Sequence, residues 1–271
     1  MSTSLRPLLA VLALAPACSA FAATQPEFTL GTELYHEKYE EEVGGAKFMQ
    51  EEAWMAGLNG SARFFLADNH AVKFKGRYAQ GESDYTGGYN GGPGYGSLRI
   101  DGLDRSVYEL HGAYEYTSPW EDHPVISSLG LGYRNLTDRL DQGGPGGYKR
   151  VSEYWYATLA FESSFFLGTS YWQATPRVAY NYLLQGKQHS YLSSGELQND
   201  QNKGHGFELA MSFSRPINLG ARSTLSVTPF FRYWDIKKSE SIYTLKGGLI
   251  YDNYEPNNTT KEFGLNLSLG F

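Results

Sequence analysis

The sequence predicts an all-β chain, closed into a single antiparallel, up-and-down transmembrane barrel of about ten strands. Three observations predict it. Apolar and polar residues alternate with period two over many short segments. One of the two faces so defined is almost free of charge. The connections alternate between short turns and longer polar loops.

The alternation is cleanest at the C-terminus. Phe263, Leu265, Leu267, Leu269 and Phe271 interleave with Glu262, Gly264, Asn266, Ser268 and Gly270. Phe207, Leu209, Met211 and Phe213 repeat the pattern against Gly206, Glu208, Ala210 and Ser212, and Val72, Phe74 and Tyr78 oppose Lys73, Lys75 and Arg77. Leu129, Leu131 and Tyr133 likewise oppose Gly130, Gly132 and Arg134. Strands are expected at about 27–40, 49–66, 71–84, 104–117, 124–138, 150–165, 169–184, 204–215, 222–236 and 260–271. Pro176 and Pro229 fall inside two of them. Each lacks a ladder N–H, so a bulge or bend is expected there.

Short turns are expected at Ala67-Asp68-Asn69-His70, from Pro119 to His123, near Leu167-Gly168 and from Pro216 to Ala221. Longer connections fall at about 85–103, 139–149, 185–203 and 237–259, with a modest one at about 41–48. Short turns on one rim and long loops on the other are the outer-membrane pattern, the short turns being periplasmic.

Alternation alone also describes a soluble sandwich, so the distribution of charge decides. Glu33, Arg63, Lys73, Lys75, Arg77, Glu109, Glu115, Arg134, Glu162, Arg177, Glu208, Arg232 and Glu262 share one face. An Arg or Lys facing the bilayer midplane costs about 2–4 kcal/mol, which makes the clean face the lipid face. Trp54, Tyr78, Trp155 and Tyr180 at one end of that face, with Tyr116 and Trp172 at the other, fit two interfacial girdles.

The first residues read as an export signal. Arg6 precedes the apolar run Leu8-Leu9-Ala10-Val11-Leu12-Ala13-Leu14, and Ala20-Phe21-Ala22 forms a small-x-small cleavage site. The domain plan is therefore a cleaved segment 1–23 and one barrel domain over 24–271. The single cysteine, Cys18, lies in the cleaved part, which leaves a mature chain without thiol or disulfide chemistry. A formal net charge of -6 without a basic run argues against nucleic acid as a partner.

The ending Leu265-Asn266-Leu267-Ser268-Leu269-Gly270-Phe271 resembles the C-terminal signature of Gram-negative outer-membrane proteins. The resemblance implies residence in the outer membrane among its lipid and lipopolysaccharide, with Phe271 read by the barrel-assembly machinery. In strand count and mature size the chain is similar to the ten-stranded omptin-like and OpcA-like barrels. The omptin catalytic pattern, an Asp-x-His pair and a carboxylate pair at the rim, is not matched. The nearest approach is Asp200 to His205, and no Asp-x-Asp faces it. No catalytic residue is assigned, and the chain is read as not an enzyme.

The inward face supplies the candidate site: Lys73, Lys75, Arg77, Glu109, Glu115, Arg134, Arg177, Glu208, Arg232 and Glu262. Opposite charges so close across a narrow lumen must pair or line water. They form either a structural plug or a narrow solute-selective channel. Gly31, Gly57, Gly130 and Gly132 on that face either leave room for a path or admit bulky neighbours. The histidines (His36, His70, His111, His123, His189 and His205) show no metal spacing, and neither metal nor cofactor is expected. An alternative function lies in the outer loops. There Tyr85, Tyr89, Tyr95, Tyr148, Tyr191, Tyr243, Tyr251 and Tyr254 sit among Gly, Ser and Asn, a composition suited to adhesin-like binding of a surface ligand.

Overall fold

A computed structural model describes residues 25–88, 94–118, 124–219, 223–246 and 248–271. The export segment 1–23 with Cys18, Tyr89 and the turn from Pro119 to His123 lie outside the described residues, as does part of the turn ending at Ala221. In chain order the strands are β1 (Glu27–Val43), β2 (Ala46–Ala67), β3 (His70–Gly87), β4 (Leu98–Thr117), β5 (Val125–Arg139), β6 (Lys149–Ser163) and β7 (Phe165–Phe166). They continue with β8 (Gln173–Leu192), β9 (Gly195–Asp200), β10 (Gly204–Pro216), β11 (Thr224–Ile236), β12 (Ile242–Lys246), β13 (Leu249–Asn253) and β14 (Asn257–Gly270).

Ten of these form a closed antiparallel barrel among the described residues: β1 to β6, then β8, β10, β11 and β14. β14 returns to β1 along a ladder from Thr29↔Gly270 to Glu42↔Asn257. Closure satisfies the backbone of every stave without help from water, which the bilayer core cannot provide. Phe271 fastens the seam. Its N–H donates to the Phe28 carbonyl at 3.0 Å, the Phe28 N–H donates back at 2.9 Å, and the two rings stack 6.2 Å apart. β7 and β9 are short additions to β8, and β12 with β13 makes a separate hairpin. Among the described residues no helix is long and apolar enough to cross a membrane.

The outward face carries the apolar alternation. Leu58, Leu129 and Phe263 are 61%, 64% and 68% exposed, within a band that includes Leu30, Leu34, Phe74, Leu110, Leu131, Leu265 and Leu267. An apolar belt of this extent is stable against acyl chains and not against water. Trp54, Tyr78, Trp155, Tyr180 and Tyr116 are exposed on the same face, whereas Trp172 is half-buried. Beyond Trp54 the outer face turns ionic, with Lys38 3.2 Å from Glu52 and Lys261 3.6 Å from Glu40.

The strands run farther past the long-loop rim than the alternation predicts. The expected loop at 41–48 is a tight turn at Gly44-Gly45, whose φ values of 61° and 80° suit glycine. The expected loop at 85–103 is largely strand, since β3 reaches Gly87 and β4 begins at Leu98. The 185–203 segment holds the end of β8 and all of β9, and 237–259 holds the β12–β13 hairpin. Above the bilayer the ladder continues, but the outer face no longer has to be apolar, so the period-two signal fades.

Neither proline produces a bulge. The β10–β11 ladder skips from Ala210↔Phe230 to Phe213↔Val227, leaving Pro229 opposite a gap that Thr228 Oγ1 bridges to Ser212 Oγ at 3.0 Å. The ladder onto β8 likewise breaks between Glu162↔Arg177 and Phe165↔Ala174, beside Pro176, and resumes in register. The bulges fall elsewhere, at Glu41/Glu42, Phe65/Ala67, Ser83/Tyr85 and Trp155/Tyr156.

Candidate functional site

The inward residues sort into layers along the lumen. Nearest the short-turn rim, Arg63 approaches Glu115 at 2.7 Å, Lys73 lies 3.8 Å from both Glu115 and Glu162, and Arg177 lies 3.6 Å from Glu208. Above them Arg77 donates to Glu33, Glu109 and Glu262 at 3.1, 3.0 and 3.2 Å. Arg232 joins Glu262 and Glu33 at 2.9 and 3.1 Å, and Arg134 joins Glu262 at 2.9 Å. Glu262 is thus shared by three guanidinium groups, from β3, β5 and β11. All ten residues expected inside therefore have their side chains in the lumen, and nine of them are joined in ion pairs. Lys75 makes none among the described residues.

A second network, nearer the long-loop rim, was not among the expected residues. Arg105 binds Glu37 and Asp138 and lies 2.9 Å from Glu51. Arg150 binds Glu41 and lies 3.2 Å from Glu51, 3.1 Å from Asp138 and 3.6 Å from Glu255. Every member is buried. The signal that finds them is parity: Glu37 follows Glu33 on the same face of β1, and Arg105 precedes Glu109 on the same face of β4.

Arg134 also lies 3.8 Å from Glu37, so the two networks touch, and apolar side chains fill the lumen around that contact. Tyr35, Ala53, Met55, Ala79, Val107, Leu136 and Phe230 form one buried cluster, and Tyr154, Tyr156, Leu183, Trp234 and Ile236 form another. Tyr156 and Trp234 meet edge-on at 5.1 Å. Gly132 admits a bulky neighbour here, since a side chain there would meet the Tyr156 ring, whereas one at Gly130 would come within 2.6 Å of the Gly112 carbonyl and 2.8 Å of Ala113 Cβ on the adjoining strand, with His111 Nε2 at 2.9 Å. Gly31 and Gly57 are closed in by the adjoining strands.

Below this seal lies a polar cavity of about 320 Å³, whose lining reaches Thr29, Ser226 and Ser268 near the short-turn ends of their strands. Its wall includes Ser61, Lys73, Lys75, His111, Arg177 and Glu208, with Arg77, Glu109, Arg232 and Tyr156 at its inner end. The Tyr156 hydroxyl donates to Glu109.

The remaining histidines are dispersed. His36 points outward, edge-on to Trp54 at 5.4 Å and beside Glu52, Glu82 and Asp84. His70 contacts Tyr114 and Tyr116 on the outer face. His189 is 2.6 Å from Glu196, and His205 stacks on Tyr180. Among the described residues no three His, Asp or Glu side chains are grouped to hold a metal ion.

On the long-loop rim two connections fold back over the mouth. Asn199 Nδ2 donates to the Asn253 carbonyl at 3.4 Å, and Gln201 Nε2 to the Lys237 carbonyl at 3.3 Å. The Glu255 N–H donates to Ser239 Oγ at 2.8 Å and sets the Glu255 carboxyl against Arg150. Burial first, and then the neighbouring Glu41 carboxylate, hold the Glu255 carboxyl well above the ordinary carboxylate range.

No family model matches the chain, nor does any curated protein. Among solved structures it is similar to the outer membrane protease OmpT from Escherichia coli, with a TM-score of 0.60 at 10% identity, covering 91% of this chain and 95% of that one. The translocator domain of the autotransporter NalP from Neisseria meningitidis gives 0.43 at 9% identity, covering 92% and 88%. The outer membrane protein OprG from Pseudomonas aeruginosa gives 0.36 at 12% identity, covering 89% and 95%. At such identities the likeness is one of fold, and the fold of this chain is that of the Gram-negative outer-membrane β-barrels, closed on ten strands.

Proposed function

We propose that this chain is an outer-membrane barrel of structural type, non-conducting, which holds a folded rim at the surface of a Gram-negative cell. One observation carries the reading: the lumen is filled across its width. Tyr35, Met55, Tyr156, Leu136 and Leu183 are less than 2% exposed, and Arg105 and Arg134, equally buried, close the layers on either side. Ions need a continuous wet path, and side chains packed from wall to wall, with the charged groups among them paired and buried, offer none.

In planar bilayers the refolded mature protein is expected to stay silent, and reproducible single-channel steps overturn the reading. Silence can also follow from failed insertion, so the double variant Tyr156→Ala/Trp234→Ala serves as its control. With the aromatic contact across the seal removed, that variant is expected to conduct. In this setting the apolar band meets membrane lipid and lipopolysaccharide, and the strand ending at Phe271 is the segment offered to the assembly machinery.

A second reading, binding of a surface ligand through the outer loops, is favoured by the β12–β13 hairpin. Tyr243, Leu245 and Ile250 stand 70–75% exposed on it, beyond the barrel sheet. Replacing 242–253 by a short turn is expected to abolish cell or glycan binding and leave the barrel intact. Unchanged binding removes this reading. No rim hydrolase is proposed, and the protease activity of the Escherichia coli barrel is said of that protein alone.

A further inference from the structure

Lys75 is the outlier of the lumen. The other cations of the inward face lie within 4 Å of at least one carboxylate, whereas Lys75 makes no ion pair among the described residues. Its ladder partners are Ser61 and His111, and Lys73 precedes it by two residues on the same face. All four line the cavity below the seal.

A half-buried ammonium without a counterion is costly, and more so beside further cations. Polar atoms around it are also without partners: His111 Nε2 and Asn59 Nδ2 are buried with no hydrogen bond among the described residues. Among charged residues the wall carries Lys73, Lys75, Arg77, Arg177 and Arg232 with Glu33, Glu109 and Glu208, while Glu115, Glu162 and Glu262 beside it pair with Lys73, Arg77 and Arg232. Most of these neutralise one another, and the uncompensated charge falls at Lys75. Toward the short-turn ends of the strands the wall is hydroxyl- and amide-bearing, with Ser212, Ser226, Asn266 and Ser268, so an ion can enter while still partly hydrated.

We infer that this cavity binds a small anion, a carboxylate or phosphate group entering from the short-turn side, with Lys75 as its counterion. The volume, about 320 Å³, is at the lower end of the range of ligand pockets and suits a small oxyanion or a short acid. Glu208, 3.6 Å from Arg177, occupies that guanidinium and leaves Lys75 as the available charge. The inference goes beyond the proposed function and is independent of it, because a barrel that proved to conduct would retain this pocket.

The test is calorimetric titration of the folded, detergent-solubilised barrel at low salt, with inorganic phosphate in one arm and acetate in the other. Saturable binding of at least one is expected, and which arm responds distinguishes phosphate from carboxylate chemistry. Lys75→Gln is expected to weaken that binding at least tenfold, and Lys75→Arg to retain most of it. Because Lys75 holds no carboxylate, its replacement strands none, so both variants are expected to keep the heat-modifiable mobility of the folded barrel. Arg139→Gln, on the exposed rim, is expected to bind as the parent does. The absence of saturable heat from both ions overturns the inference. So does an unchanged affinity in folded Lys75→Gln. Should Lys75→Gln fail to fold, Ser226→Asp, which sets a carboxylate in the entrance, is expected to weaken binding by a similar factor, and parental affinity there overturns the inference as well.

Discussion

Gly132 on β5 and Tyr156 on β6 are cross-strand partners, and the phenol ring of Tyr156 occupies the space that any Gly132 side chain would need. The glycine is therefore part of the seal: its missing side chain lets Tyr156 lie flat against β5, reach Glu109 and meet Trp234.

Gly132→Ala is expected to cost about 1–3 kcal/mol, the range for overpacking a filled interior. The measurement is the urea midpoint of the barrel in detergent micelles. Pairing it with Tyr156→Phe, which keeps the ring, is expected to leave the cost unchanged, whereas Tyr156→Ala is expected to relieve it. A Gly132→Ala protein as stable as the parent would place the Tyr156 ring elsewhere.

Arg105 is buried among Glu37, Glu51 and Asp138, whereas Arg139 meets Asp141 at 2.8 Å on the exposed rim. The two pairs predict opposite outcomes. Arg105→Met takes one guanidinium from three buried carboxylates, leaving Glu51 and Asp138 to Arg150 alone and Glu37 to Arg134 at 3.8 Å, and is expected to lose about 3–5 kcal/mol. Adding Glu51→Gln is expected to recover part of that loss. Arg139→Met removes a hydrated pair worth about 0–1 kcal/mol, and that small effect is expected to shrink further with salt. Equal losses in the two variants would mean that the Arg105 network is wet.

The staves were legible where lipid imposes a rule. Phe263 to Leu269 had to alternate because each outward side chain meets acyl chains, and every charge on those segments was assigned inward by the same rule. Above Trp54 the rule lapses. Lys38, Glu40 and Glu42 face out while Glu37 and Glu41 face in, so both faces are ionic and the continuing strand looks like loop. The lumen was legible by parity but not by partner. Arg232 pairs with Glu33 across 199 residues of chain, and nothing local records which carboxylate a guanidinium will meet. The unpaired state of Lys75 is a property of that three-dimensional matching, as is the aromatic seal, whose members come from β1, β6 and β11.

Leu131 lies between Leu129 and Tyr133 in the outward band and is 58% exposed. If acyl chains cover that band, Leu131→Arg is expected to cost about 2–4 kcal/mol for folding into lipid vesicles. The same change at Trp155, beside the ionic rim, is expected to cost about 0–1 kcal/mol. The depth dependence matters more than either number. A soluble protein with a dry centre would be destabilised by both substitutions or by neither, and a flat response would remove the lipid assignment.

Glu255 carries the pH prediction, because it lies in the connection outside the membrane-spanning staves and its carboxyl is held above the ordinary value by burial and by Glu41. A carboxyl whose folded pKa is raised binds its proton in the folded state at pH values where the unfolded chain has released it. Stability then falls as pH rises from the ordinary carboxyl range through the folded value, and is insensitive to this group below that range. The packing of Glu255 with Ser239 against Arg150 is therefore expected to be firmest in mild acid. Glu255→Gln keeps the shape and removes the titration, so the parent is expected to lose ground against it as pH rises above the ordinary carboxyl range of about 4. Matched urea midpoints at several pH values measure the difference. Two parallel curves would mean that Arg150, 3.6 Å away, keeps the carboxylate ionised, and that the mouth is held by charge pairing instead of by a retained proton.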